Sequence, residues 1–247
     1  MPALVAGIYV FLAGFQARKT WMAGTSPAMT PSMVQCNWSR FWLALICAQA
    51  DHMRVLYVYC HPLPESFHAA IRAKALDGLK AAGHDVDLLD LYAEGFDPVL
   101  SEDARRHYHD TSRNQSGLED YVRRLQSAEA LVVQFPVWCF GMPAMLKGYL
   151  DRMIMPGVAF DISDPARVKP MLGNIRRITG IVTYGRPWWM ALAMSDPPRK
   201  IVKRYLAWFA NRRARVDYHA LYHMNVATAS QRAAFLEKVR TAMAGLR

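Results

Sequence analysis

Cysteine is scarce in this chain. Its four residues, Cys36, Cys47, Cys60 and Cys139, stand singly among 247. Without a CxxC pair they exclude a disulfide framework, a zinc ribbon and a thioredoxin-like redox motif, and no metal site is expected. No run approaches the ~18 consecutive apolar residues of a spanning helix, so stable membrane insertion is not expected. There is no GxGxxG, no GxxxxGK[ST], and no recognisable Ser/His/Asp or Cys/His set for nucleophilic catalysis. Acidic residues are also few, 20 against 30 Lys and Arg, giving a formal charge of +10. A basic balance attracts phosphorylated dinucleotides, nucleic acid or anionic lipid without choosing among them. No nucleic-acid-binding motif accompanies it, so nucleic acid is not expected as a partner. What is present is an ordinary globular composition, 53% hydrophobic and 20% charged, which excludes a disordered chain.

Residues 1–52 stand apart. Two short apolar runs, 3–15 and 41–50, flank a Ser/Thr/Pro/Met-rich stretch, and neither keeps a period of 2 or 3.6. Arg40 before the second run and Ala48-Gln49-Ala50 after it have the pattern of a secretory signal, although the run is short and begins far into the chain. The expectation is a non-native or disordered extension, with translation starting at Met53 and a membrane-touching segment as an alternative. Only Arg18, Lys19, Arg40 and Asp51 are charged before residue 53, so +8 of the formal charge belongs to residues 53–247.

From Met53 the pattern becomes regular. Residues 55–60 form a nearly unbroken apolar run, as a strand buried on both faces requires. Ser66 stands as an N-cap before a helical pattern that Gly83 stops. A second strand is expected over 86–91 and a polar surface excursion over 101–117. Ser116 is expected to cap a helix reaching 126. Residues 130–135 give a third strand, 142–155 a helix with Pro143 in its first turn, and 177–183 a fourth strand. Residues 197–213 read as an amphipathic helix burying Ile201, Val202, Tyr205, Trp208 and Phe209. A fifth strand over 216–224 leads to a capping box at Thr228 and Gln231, opening a helix that buries Ala233, Phe235, Leu236, Val239 and Met243. This alternation predicts an α/β fold, a parallel sheet with helices on both faces. Ligands of such sheets bind at the carboxyl ends of the strands, which directs attention to three loops.

After strand one comes His61-Pro-Leu-Pro-Glu-Ser66-Phe67-His68. A loop feeding a helix start offers free N–H groups, a positive dipole end and the Ser66 hydroxyl to a phosphate. Read more plainly, Ser66 is a simple N-cap and His61 a turn residue. After strand three, Pro136-Val137-Trp138-Cys139-Phe140-Gly141 places two aromatics in a Pro/Gly-bounded loop that suits a flat ring, or simply closes the core. Cys139 reads as packing, with no adjacent cation to lower a thiol pKa. After strand four, Thr183-Tyr184-Gly185-Arg186 has a glycine that admits close backbone approach.

Together these loops resemble the flavodoxin-like NAD(P)H:quinone oxidoreductases, the DT-diaphorase type and its bacterial relatives. The resemblance rests on His61…Ser66-Phe67-His68, on Phe135-Pro-x-x-x-Phe140-Gly-x-Pro-Ala-x-Leu-Lys-Gly148, and on Asp151-Arg152 and Gly157-Val-Ala-Phe160. It covers essentially residues 53–245. It implies a doubly wound five-stranded parallel sheet of order 2-1-3-4-5 and a homodimer with FAD, alternatively FMN, at the interface. Under it, His61, Ser66 and Phe67, with His68 beside them, line the diphosphate. Pro136, Val137, Trp138, Cys139 and Phe140 border the isoalloxazine, and Thr183, Tyr184 and Gly185 close its other edge. Phe160 falls where the family carries an aromatic reaching the partner's site.

Two departures limit the carry-over. The family's second glycine after strand four is Arg186 here, and the Tyr/His pair that handles charge at the reduced flavin has no counterpart in 186–196. No catalytic residue is therefore transferred. Arg186 is the one candidate for stabilising anionic reduced flavin, and it equally suits a cofactor phosphate or plain solvent. Trp188 and Trp189 either cover the ring or seal the next helix.

The implied activity is two-electron reduction of quinones or other small flat acceptors, with NAD(P)H as co-substrate. Hydride passes through flavin N5 in a ping-pong cycle, and the protein supplies position and electrostatics. The implied location is cytoplasmic. The rivals are a regulatory flavoprotein subunit of an ion-efflux system and a flavodoxin-like carrier, the latter disfavoured by the charge of +8. Azo or nitro reduction differs only in the acceptor.

Overall fold

The computed structural model describes residues 52–164 and 166–247. The expectation for 1–52 lies, His52 aside, outside the described residues. Five parallel strands make the sheet: β1 (Arg54–Tyr59), β2 (Asp85–Asp90), β3 (Ala130–Val137), β6 (Arg177–Tyr184) and β7 (Arg215–Leu221), in the order β2-β1-β3-β6-β7. Between β3 and β6 lies a separate antiparallel ribbon of β4 (Phe160–Asp161) and β5 (Lys169–Pro170). Leaving this ribbon aside, the order is the 2-1-3-4-5 that the resemblance implies.

The pleat of β1 divides the core. Tyr57 and Tyr59 point toward α1 (Phe67–Ala81) and α7 (Ala229–Ala244), joining Ile71, Leu79, Phe235, Val239 and Met243. Leu56 and Val58 face the other side, covered by α3 (Glu119–Ser127), α4 (Ala144–Met153) and the segment after β6. A central strand of a doubly wound sheet needs both faces apolar, and all residues of β1 after Arg54 are buried. Ser66 caps α1 and Thr228 with Gln231 forms the capping box of α7, as expected.

Several boundaries differ from expectation. A short helix, α2 (Glu102–Arg106), interrupts the polar excursion. Leu118 rather than Ser116 precedes α3, with no side-chain cap. Pro143 sits at the N-cap of α4, not inside its first turn. A helix absent from the sequence reading, α5 (Trp188–Ala193), follows β6. The last strand ends at Leu221, and Ala233 of α7 is exposed.

The largest departure is the helix of residues 197–209, here α6. It begins as an α-helix (Pro197–Lys200), passes through a π-helical stretch (Ile201–Leu206) and ends as a short α-turn (Ala207–Phe209). Widening the turn to i→i+5 bonding shifts the angular position of everything downstream. Val202, Leu206 and Phe209 are buried, while Tyr205 and Trp208, expected inside, lie about half exposed.

Candidate functional site

The carboxyl ends of β1, β3 and β6 are neighbours in the sheet, so their loops share one rim. Beyond β1, the amide of Cys60 donates to Gln134 O (3.0 Å) and carries the pairing one residue further. The chain then turns, with the Leu63 amide donating to His61 Nδ1 (3.1 Å). Ser66 Oγ accepts from the Ala69 amide (3.2 Å). The amides of Phe67 and His68, in the same first turn, have no hydrogen-bond partner among the described residues, and the turn holds no acidic side chain. The positive end of α1 is therefore open to an anion.

Beneath this turn runs a buried polar chain. The Tyr57 hydroxyl donates to Gln134 Oε1, and Gln134 Nε2 donates to His68 O (2.7 Å) and lies 3.1 Å from His68 Nδ1. His68 Nε2 meets Thr183 Oγ1 at 2.8 Å. Since the amide NH2 can only donate, Nδ1 accepts and the proton of a neutral ring sits on Nε2, directed at Thr183. Burial, reinforced by His61, lowers the His68 pKa to about 3, so the ring is neutral. His61 stacks on His68 with centroids 5.3 Å apart, and its other side meets the edge of Trp138 at 6.2 Å. Burial also depresses the pKa of His61. One imidazole pair thus joins the β1 loop to the β3 loop and, through Thr183, to β6.

After β3 the chain reverses within four residues. Trp138 and Gly141 exchange both backbone hydrogen bonds, at 3.1 and 2.8 Å. Cys139 and Phe140 between them have φ of 50° and 58°. Positive φ at both central positions defines a type I′ turn, which Asn and Gly normally occupy. A bulky aromatic in this region is strained by about 1–3 kcal/mol, and such strain clusters at ligand sites. The amides of Cys139 and Phe140 are unpaired among the described residues, so the turn presents two adjacent donors.

On β6, the backbone of Thr183 and Tyr184 runs in register with Pro136 and Val137. The Tyr184 side chain turns inward. Its hydroxyl donates to Asp196 Oδ1 (2.6 Å) and lies 2.6 Å from the Tyr218 hydroxyl, and Tyr222 stacks on the ring at 4.5 Å. Burial and these neighbours raise the phenol pKa far above its ordinary value. Only the backbone of Tyr184 can therefore face a ligand. A Cβ at Gly185 would stand 3.2 Å from the Asn225 side chain. Arg186 is exposed, and its carbonyl accepts from the His223 amide (2.9 Å). Phe160 lies against Phe209 at 5.9 Å.

The rim brings together the chain at His61, Ser66, Phe67, His68, Pro136, Val137, Trp138, Cys139, Phe140, Thr183, Tyr184 and Gly185, with the side chains of His68, Thr183 and Tyr184 buried beneath it. Sequence reasoning missed Tyr57, Gln134, Asp196, Tyr218 and Asn225. A signal for Gln134 was present: a lone amide in an otherwise apolar strand needs partners, because an unpaired buried polar group is costly.

Comparison with known proteins agrees with the fold. Residues 53–196 match the Flavodoxin_2 family model, described as a flavodoxin-like fold. Ribosyldihydronicotinamide dehydrogenase [quinone] of Pongo abelii is 35% identical over 125 residues, 44% of this chain and 54% of that protein. The chain spans about half the length of the curated relatives it matches. The solved structure of Smu.1420 from Streptococcus mutans UA159 superposes with a TM-score of 0.68 at 29% identity, over 78% of this chain and 99% of the other. An NAD(P)H:quinone oxidoreductase from Methanothermobacter marburgensis, at 21% identity and TM-score 0.66, covers 79% of this chain and 97% of its own and shares the fold.

Proposed function

The chain belongs to the flavodoxin-like fold family, and from that premise we propose that it is a flavin-dependent oxidoreductase passing electrons from NAD(P)H to quinones or related flat acceptors. The observation that carries the reading is the pair of unpaired amides at Cys139 and Phe140, beside Trp138 and just beyond the point where Val137 pairs with Tyr184. Two adjacent donors on a strained, fixed turn suit the polar edge of a tricyclic ring, and the open first turn of α1 suits its phosphate. The residues present thus fit a flavin. A flavin held here would supply the redox chemistry, a two-electron relay from NAD(P)H through N5 to the acceptor in a ping-pong cycle.

The chain's own residues orient and neutralise. Phe67 and His68 amides and the Ser66 hydroxyl hold the phosphate end. Thr183, fixed by the His68 Nε2–H, sets the height of the β6 backbone beside the ring. Trp138 edges the shelf, and Arg186 is the exposed cation available for negative charge. We assign FAD first and FMN second, a cytoplasmic location and a homodimer. Tyr205 and Trp208, half exposed and packed edge-on against Phe209, give apolar ground next to Phe160 for a second subunit.

The test is an absorption spectrum of the purified protein. Cofactor released by heat is then identified by chromatography, and turnover is measured with NADH or NADPH and menadione. A bound yellow nucleotide and parallel double-reciprocal lines are expected. A colourless protein that neither FAD nor FMN reconstitutes defeats the reading.

A further inference from the structure

The sheet has a second opening, at the end opposite the rim. Helix α7 lies over the middle strands, where Phe235, Val239 and Met243 join Tyr57 and Ile181, and it leaves the edge strand β7 partly uncovered. Between the last turn of α7 and the sheet lies a cavity of about 250 Å³. Arg177, Thr179, Asp217 and His219 line it from the strands, Met243 and Leu246 from the helix and the chain beyond it. That wall is fixed. The Leu246 amide donates to Met243 O (3.3 Å), and Leu246 O meets His84 Nε2 at 3.0 Å. The Met53 amide donates to His84 Nδ1 (3.3 Å), so the ring proton is on Nε2 and directed at Leu246.

A doubly wound sheet needs apolar side chains on both faces, yet here the last two strands carry four polar ones toward α7. Register sets Thr179 directly across from Asp217, with Arg177 two residues before it on β6 and His219 two residues after Asp217 on β7. Thr179 is 1% exposed, and its hydroxyl bonds to no described residue. A buried hydroxyl without a partner is costly, and this one lines the cavity. Arg177 and Asp217 have opposite charges and share the cavity, but neither is in an ion pair among the described residues. They stand as two separate poles. Burial lowers the pKa of His219, with Asp217 opposing and Lys238 assisting, so the neutral ring adds one donor and one acceptor. A simple anion entering here meets Asp217, and a simple cation meets Arg177. A molecule that carries both charges faces each with its opposite. Met243 and Leu246, both buried, give it an apolar floor. The volume lies below the roughly 300–1,000 Å³ of sites for drug-sized ligands, so neither a flavin nor a dinucleotide fits.

We propose that this cavity binds an aliphatic α-amino acid, its carboxylate on Arg177 and Thr179, its ammonium on Asp217 and its side chain against Met243 and Leu246. The site lies toward the amino ends of β6 and β7, away from the rim. It is also on the opposite sheet face from Phe160 and Phe209, so a second subunit seated on that ground leaves it open.

The experiment is isothermal titration calorimetry of the full chain with L-leucine at two temperatures. It involves no turnover of NAD(P)H or acceptor, so it stands or fails apart from the proposed reductase activity. Saturable binding of one leucine per chain is expected. Its two halves, 4-methylpentanoate without the ammonium and 3-methylbutylamine without the carboxylate, should each bind at least tenfold more weakly. Arg177→Gln and Asp217→Asn should each weaken leucine binding at least tenfold, and Thr179→Val about fivefold, with far-UV circular dichroism unchanged. The two analogues test the same assignment on the unaltered chain, should a variant fail to fold. Absence of saturable heat with leucine at both temperatures overturns the proposal. So does binding that survives both charge substitutions. Equal binding of 4-methylpentanoate or of inorganic phosphate overturns it as well, since the cavity would then be a site for simple anions.

Discussion

His68 offers a quantitative test of the buried chain that ties the three loops together. Its ring is 2% exposed, accepts from Gln134 and faces Thr183, and its pKa is depressed to about 3 by burial and by His61. In the unfolded chain the same ring titrates near 6.5. Between these values the unfolded state binds a proton that the folded state refuses. Stability from this group is therefore full above pH 6.5, falls as pH drops, and levels off near the folded pKa. The linkage integral gives roughly 1.5 to 2 kcal/mol lost between about pH 6.5 and pH 5. His61, stacked on it and lowered in the same direction, adds a smaller loss of the same sign. Urea denaturation followed by far-UV circular dichroism across this range, without added flavin, measures the slope. His68→Gln shifts the whole curve by its own packing cost but should remove most of the slope, because glutamine does not titrate. A variant whose stability falls in parallel with the wild type would show that His68 titrates alike in both states. That result would refute the neutral, Nε2-protonated ring on which the placement of Thr183 rests.

Other positions carry further expectations. At Gly148 in α4 an added Cβ would stand 2.2 Å from Pro98 O and 2.4 Å from Pro98 Cβ. Gly148→Ala should therefore cost about 1–3 kcal/mol by overpacking, read as a lower urea midpoint. Arg124 binds Asp87 (2.7 Å) and Glu94 (2.8 Å) at once while its own side chain is largely covered. Arg124→Met leaves two facing carboxylates and should cost about 2 kcal/mol, discounted for their partial exposure. Cys139→Gly relieves one positive φ and should raise stability by about 0.5–1 kcal/mol in thermal melts. The same change should loosen flavin retention in a fluorescence titration, since a relaxed turn no longer fixes its two donors.

How far the sequence revealed the structure depends on how local each cause is. Ser66 and Thr228 cap helices through bonds spanning three residues, and the strands announce themselves by unbroken apolar runs, so both were legible. The π-helical stretch of 201–206 was not. Its side chains keep an acceptable α-period, and the widened turn is visible only as Val202, Leu206 and Phe209 buried with Tyr205 and Trp208 left outside. Helix α5 was missed because its apolar residues face solvent, which defeats any reading that equates apolar with buried. The three loops of the rim were legible because glycine, proline and aromatic residues punctuate the strand ends. Their mutual fixation was hidden, because it runs through residues 115 apart in sequence, from His68 to Thr183.

The two polar clusters divide the labour of the rim between them. Tyr57, Gln134 and His68 lie under the first turn of α1 and bind α1 to β1, β3 and β6. Tyr184, Tyr218 and Asp196 lie under the other end and bind α5 and α6 to β6 and β7. Tyr184 has a single proton; donated to Asp196, it obliges the Tyr218 hydroxyl to donate to Tyr184. The second cluster is thus a directed chain ending on a carboxylate. Tyr184→Phe breaks that chain at its middle and leaves Asp196 buried without its phenol donor. Such a loss costs about 1–3 kcal/mol locally, and the element with least other packing is α5, which buries only Ala191. Amide exchange in 188–196 should therefore accelerate at least tenfold in Tyr184→Phe, while α1 and β1 keep their protection. Equal acceleration in both regions would mean that the clusters act as one unit, and that the β6–β7 side of the rim has no independent anchor.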